Sequence, residues 1–237
     1  ITLYAGFNEQ DEARYIVEQA ETWFGDGHPR RSIAILYRSN AQSRVLEEAL
    51  LREGIPYRIY GGQRFYERLE IRNALAYLRL AQTRDDDPAL ERVLNTPPRG
   101  IGSKTVEKIR EVARAEQIPM WRAIHRTREQ SLLPARALTA LGNFQALIED
   151  LDRSSETLPL DELTEQVIEV TGLLDYHRSE KGERGQARVE NLQELVTATR
   201  LFEPEDEEIS PLQAFLDSAA LDAGEGQADP YEDSIQM

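Results

Sequence analysis

Residues 95–109, NTPPRGIGSKTVEKI, place two glycines one residue apart, then Ser103, Lys104 and Thr105, ahead of an apolar-periodic run. This combination suits the reception of negative charge. Gly100 and Gly102 let the backbone turn closely and expose its amides. Ser103 or Thr105 is expected to cap the helix that follows, whose first N–H groups lack partners within the helix. A helix N-terminus attracts phosphate. Residues 91–110 carry Arg92, Arg99, Lys104, Lys108 and Arg110 against Glu91 and Glu107, a local excess of three positive charges.

The phosphate is not expected to be that of a nucleotide. A P-loop needs G-x-x-x-x-G-K-[ST], with glycine directly before the lysine. Here Ser103 precedes Lys104, and Pro97 stands where the first glycine belongs. A helix, a tight glycine turn and a second helix is a different device. It resembles the helix-hairpin-helix class, which holds DNA backbone without reading bases. An ordinary helix–helix turn with a glycine cap fits the spacing equally well.

Three other stretches have chemical potential. YRSNAQSR, residues 37–44, sits where a strand is expected to end and a helix to begin, and Arg38, Ser39, Asn40 and Arg44 could hold a phosphate there. YGGQRFYERLEIR, residues 60–72, offers Gly61 and Gly62 as a hinge and Phe65 or Tyr66 as a base-stacking surface; a domain-junction core with a glycine turn is the favoured alternative. EKGERGQARVEN, residues 180–191, is a second glycine-containing, partly basic start of a helix. No catalytic constellation emerges. There is no nucleophile elbow, and no carboxylate stands alone in an apolar context that would raise its pKa.

Positioning these residues requires two kinds of architecture. Residues 1–61 alternate strand and helix. ITLYAGF, SIAILYR and PYRIYGG are expected as strands. EQDEARYIVEQAETWF places Ala13, Ile16, Val17, Ala20 and Phe24 on one helical face. SNAQSRVLEEALLREG opens with Ser39 or Asn40 as a cap and closes on Gly54. The expectation is a parallel α/β arrangement with an incomplete sheet. Beyond Gly62 the strand signals fade and helices follow one another, including one expected to run through PLDELTEQVIEVTGLLDYHRSE, residues 159–180. EPEDEE, residues 203–208, reads as a solvated acidic loop, and DAGEGQADPYED, residues 222–233, as a linker.

Composition sets limits. The 237 residues suit one large or two modest domains, with 40% hydrophobic and 30% charged content. No apolar run approaches the roughly 20 residues that cross a bilayer. There is no cysteine, and His28, His125 and His177 lie far apart, so a metal site is not expected. Cytoplasmic residence is consistent with this. The net charge of −15 argues against nucleic acid, but a local basic patch can sit on an acidic protein. The chain opens on Ile1, not Met, and reads as a piece of a longer protein.

Several long segments resemble, in order, the UvrD/Rep/PcrA family of superfamily 1 DNA helicases: AILYRSNAQSRVLEEALLREGIPYRIYGGQRFYERLEIRNALAYLRL, RVLNTPPRGIGSKTVEKI, KGERGQARVENLQELVTATRLF and PLQAFLDSAALDAGEGQAD. The resemblance covers almost the whole chain. It implies that residues 1–65 are part of the second RecA-like motor domain (2A), an α/β unit. Residues 66–230 would be the inserted, mainly helical domain (2B) containing the helix-hairpin-helix-like turn, and residues 231–237 the return into 2A. It implies a parent that is an ATP-dependent 3′→5′ DNA helicase of repair or replication, using ATP and Mg. The P-loop lies outside this chain, so the fragment alone is expected to bind no cofactor and not to hydrolyse ATP.

Carried over by residue, Arg99, Gly100, Gly102, Ser103, Lys104, Thr105 and Lys108 become duplex-backbone candidates. Arg38 and Asn40, with Ser39 and Arg44, become single-strand-path candidates. Gly61, Gly62, Phe65 and Tyr66 match the junction. Family members often carry Asp where this chain has Asn73. The expected partner is DNA at a duplex/single-strand junction, without sequence preference. The alternative is an acidic protein-interaction module that docks a repair partner or a second helicase copy without touching DNA.

Overall fold

The computed structural model describes residues 1–204, 208–224 and 231–237. The chain divides into two compact units: residues 1–68 with 220–237, and residues 69–219.

In the first unit, helix α1 (Glu9–Gly25) is started by Asn8, whose Oδ1 accepts from the Asp11 amide at 2.8 Å. Glu9, Asp11 and Glu12 in its first turn favour the positive end of the helix dipole. Its face of Ala13, Val17 and Ala20 is buried, with Ile16 and Phe24 packed at the edge, as the spacing predicts. Helix α2 (Ser43–Arg52) follows a short 3-10 turn at Asn40–Gln42. Strand β1 (Tyr57–Arg58) pairs in parallel with β2 (Ile235–Gln236), and Ala34 adds one parallel bridge to Gln236. The core is closed by Leu46, Leu50, Ile55, Tyr57, Ile59 and Ile235.

The three expected strands are therefore much reduced. ITLYAGF forms no strand, SIAILYR contributes a single bridge, and PYRIYGG keeps two residues. A strand exists only where a neighbour takes its hydrogen bonds. The parallel arrangement is present, carried by pairing that spans almost the whole sequence.

The second unit is helical. Helix α3 (Leu69–Gln82) is its centre, burying Ile71, Ala74, Tyr77, Leu78 and Leu80. Around or beyond it come α4 (Asp87–Val93), α5 (Ser103–Glu116), α6 (Met120–Glu129), α7 (Ala135–Ser155), α8 (Leu160–Val170), α9 (Leu173–Arg178) and α10 (Glu183–Leu201). Helix α11 (Pro211–Gly224) carries the chain out of this unit into the first. Helices α4, α7, α8 and α10 all pack on α3. Each aliphatic side chain so buried contributes about 1.5–3 kcal/mol. The expected single helix over 159–180 is broken into α8 and α9, because Gly172 adopts a φ of +79° that interrupts helical geometry.

Three residues of the expected acidic loop (205–207) and six of the expected linker (225–230) lie outside the described residues. Among the described residues no helix is long and apolar enough to cross a membrane, and no group of three or more potential metal ligands forms.

Candidate nucleic-acid interface

The loop between α4 and α5 is built on internal anchors. Asp86 caps α4, its Oδ1 accepting from the Ala89 amide at 2.9 Å. Asn95 Oδ1 then accepts from the amides of Arg99 (2.9 Å) and Ile101 (3.1 Å), which folds the loop back on itself. Ile101 is buried beneath it. The Tyr77 hydroxyl donates to the carbonyls of Thr96 at 2.6 Å and Val93 at 3.3 Å. Burial pushes the Tyr77 hydroxyl up to about 12, with Arg99 acting in the opposite direction.

Arg99 faces this framework. Its guanidinium donates to the carbonyls of Val93 (2.7 Å), Leu94 (3.4 Å) and Thr171 (3.2 Å) and lies over the rings of Phe144 and Tyr77. Arg99 thus shapes the turn, and its charge is directed at carbonyls within the unit.

Gly100 has φ +83°, where any other residue would be strained. Gly102 differs: its φ of −79° and ψ of 172° suit any residue, and a Cβ there would meet nothing within 4 Å. Gly102 is the N-cap of α5 and has no side chain to cap with, so the expected capping by Ser103 or Thr105 does not occur. Ser103 is already helical, and Thr105 is buried, its amide donating to the Gly102 carbonyl at 3.0 Å. Among the described residues the amides of Gly102, Ser103 and Lys104 have no hydrogen-bond partner. These three residues are exposed, and among the described residues the Lys104 ammonium makes no ion pair. Lys108 is bound to Glu111 at 3.1 Å, and Arg110 to Glu91 at 2.5 and 3.0 Å. Lys104 is therefore the exposed cation at the helix end, while Arg92, half-buried, also lacks a carboxylate partner among the described residues.

In the first unit, Ser39 and Gln42 form a capping box, with Gln42 Oε1 accepting from the amides of Arg38 (2.9 Å) and Ser39 (3.2 Å). Arg38 and Asn40 project outward. Arg44 does not: it is 3% exposed and its guanidinium binds Glu48 at 2.7 and 2.8 Å. Arg68 fixes the turn by donating to the Asn40 carbonyl and Ser43 Oγ, both at 2.7 Å.

Beneath lies Glu47, which accepts from Ser43 Oγ (2.6 Å), the Phe65 amide (3.1 Å) and the Tyr57 hydroxyl (3.3 Å), with Arg64 and Arg68 at 4.0 and 3.9 Å. Burial pushes the Glu47 carboxyl up against these donors and cations. Phe65 and Tyr66 are 1% and 7% exposed and pack edge to face, so they are core and offer no face to a base. Gly61 has φ +74° and is exposed, and a Cβ placed on Gly62 would lie 3.1 Å from Ile59 Cγ2.

The whole chain, residues 1–237, matches the UvrD-like helicase C-terminal domain. The chain belongs to the UvrD-like helicase family. It is 53% identical to DNA helicase II of Escherichia coli and 52% to that of Salmonella typhimurium, over all of this chain and 33% of each relative. It is 38% identical to the ATP-dependent DNA helicase PcrA of Bacillus subtilis, over 98% of this chain and 31% of the relative. The chain spans about a third of the length of the curated relatives it matches.

Within this UvrD-like domain, the second unit brings Gly102, Ser103 and Lys104 to one exposed helix end and leaves Arg99, Thr105 and Lys108 otherwise engaged. The first unit presents Arg38 and Asn40 together and withdraws Arg44. Sequence reasoning missed Tyr60, an aromatic 86% exposed next to Gly61, although its place in YGGQRFY was visible. It also missed the Glu47–Arg68 clamp, which no local spacing signals.

Proposed function

We propose that this chain serves an ATP-driven 3′→5′ DNA helicase of repair or replication, its first unit acting as part of motor domain 2A and its second as domain 2B. The second unit grips duplex backbone at the N-terminal end of α5, and the Gly61–Gly62 junction lets it regulate unwinding. Arg38 and Asn40 line the single-strand path, with the exposed Tyr60 ring free to stack on a base. ATP and Mg act in the parent at residues outside this chain.

The observation that carries the reading is the α5 start. Three exposed residues offer amides and one lysine that have no partner among the described residues, on a loop held by Asn95, Tyr77 and Arg99. Backbone amides at a helix N-terminus with a nearby cation suit a phosphodiester. Gly102 has no conformational need to be glycine, and the open space above it suits close approach by a ligand. The experiment is titration of labelled duplex with the 237-residue chain and its Lys104→Ala variant at several salt concentrations. Salt-sensitive, sequence-independent binding weakened by the substitution supports the reading; equal binding, or none at low salt, rejects it.

A further inference from the structure

Arg68 reaches across 28 positions of sequence to the turn that presents Arg38 and Asn40. Its Nη1 donates to the Asn40 carbonyl and its Nη2 to Ser43 Oγ, both at 2.7 Å, and its Nε donates to the Gln63 carbonyl at 3.3 Å. The guanidinium lies 5.4 Å from the centre of the Phe65 ring, and Glu47 supplies a countercharge at 3.9 Å. Arg68 is 8% exposed, so its charge is directed into the unit.

Two kinds of contact hold the turn. Gln42 Oε1 accepts from the Arg38 and Ser39 amides, which sets the local bend but ties the turn only to itself. Arg68 ties it to the segment that follows Gly61 and Gly62. Because Ser43 begins α2, the guanidinium fixes the Asn40–Gln42 turn and the helix start together. A second route joins the same two segments: Ser43 Oγ donates to Glu47 Oε1, and the Phe65 amide donates to Glu47 Oε2. The Arg38 and Asn40 side chains are exposed and have no partner among the described residues. What they meet depends on where the backbone places them. A planar fork suits acceptors at fixed, separate angles, whereas a lysine ammonium is a single point on a flexible stem.

We infer that Arg68 is a positioning residue for the single-strand path: it holds the Arg38–Asn40 turn in its DNA-binding position without touching the strand. This rests on the single-strand role proposed above for Arg38 and Asn40. A turn released by Arg68 has to be ordered again whenever a strand binds, and that ordering lowers the affinity.

The probe is a labelled oligothymidylate, titrated against the 237-residue chain and its variants from low to moderate salt. Arg68→Lys keeps a charge beside Glu47 and loses the fork; Arg68→Gln loses both. Each is expected to bind about tenfold more weakly, the equivalent of one hydrogen bond to a charged group. In a chain that already carries Arg38→Ala and Asn40→Ala, the Arg68→Lys change should weaken binding by less than about twofold, since the turn has no side chain left to position. Arg68→Gln should keep the parent's slope of log affinity against log salt, whereas Arg38→Ala lowers it by about 0.7. Val17→Ala, a core truncation on α1, should melt lower than the parent and bind equally well, which separates positioning from loss of stability. Arg68→Lys carries the test if Arg68→Gln does not fold.

Parent affinity in a folded Arg68→Lys chain overturns the inference. So does an equal loss with and without the Arg38 and Asn40 side chains, because Arg68 then acts elsewhere. A slope lowered by about 0.7 in Arg68→Gln makes Arg68 a direct phosphate ligand and overturns positioning. A parent that binds no oligothymidylate at low salt, or that loses nothing on Arg38→Ala with Asn40→Ala, overturns the single-strand role itself and this inference with it.

Discussion

The Tyr77 hydroxyl and the Arg99 guanidinium donate to the same acceptor, the Val93 carbonyl, at 3.3 and 2.7 Å, while the guanidinium lies 5.7 Å from the centre of the Tyr77 ring. The last carbonyls of a helix lack intrahelical donors. Tyr77 and Arg99 supply them, and in doing so they join the end of α4 to the turn that opens α5.

Arg99 is therefore expected to matter first for folding. Arg99→Ala removes charge-assisted donors from the Val93, Leu94 and Thr171 carbonyls, at a cost of about 2–3 kcal/mol by urea unfolding. Unchanged stability with weakened duplex affinity would instead make Arg99 a direct DNA ligand.

Tyr77→Phe keeps the ring and deletes the donor, and should cost about 1 kcal/mol. The sign of the pH effect follows from the raised Tyr77 pKa of about 12. The contribution is complete below pH 10, the ordinary tyrosine value, and is lost as pH rises through about 12. Denaturation followed between pH 9 and 12 should show this alkaline loss in the parent and a smaller one in Tyr77→Phe.

The two glycines of the turn should separate. Gly100→Ala forces a side chain into the left-handed region and should cost about 1–2 kcal/mol. Gly102→Ala meets no atom within 4 Å and should cost only about 0.5–1 kcal/mol, for the poorer N-cap, while its methyl group obstructs a phosphate at the helix end and weakens duplex binding. Equal duplex affinity for Gly102→Ala and the parent would count against phosphate approach there.

Glu47→Gln leaves Arg64 and Arg68 buried without a countercharge, and should cost about 3–5 kcal/mol in chemical unfolding. A change below about 1 kcal/mol would mean that the Ser43, Tyr57 and Phe65 hydrogen bonds, rather than the charge, hold this clamp.

The helices were largely legible in the sequence because their signals are local. Residues 103–116 read as one helix and form one, and Ala13, Val17 and Ala20 share a buried face as their spacing predicts. The strands were not, because β1 pairs with a segment 178 positions later, Tyr57 with Ile235, and no local pattern encodes a partner. Gly100 and Lys104 could be singled out from spacing. The inward turn of Arg99 could not, since it depends on Phe144 and Thr171 from distant helices. Phe65 and Tyr66 carry the same ambiguity: an aromatic pair beside glycines fits both a stacking surface and a core, and burial decides for the core.

The central claim is that the α5 start meets a DNA backbone, and Lys104→Ala tests it most directly. Duplex affinity is measured for parent and variant from low to moderate salt. The account predicts weaker binding to every duplex sequence and a log–log salt slope reduced by about 1. Identical affinity and slope in the two proteins would contradict it.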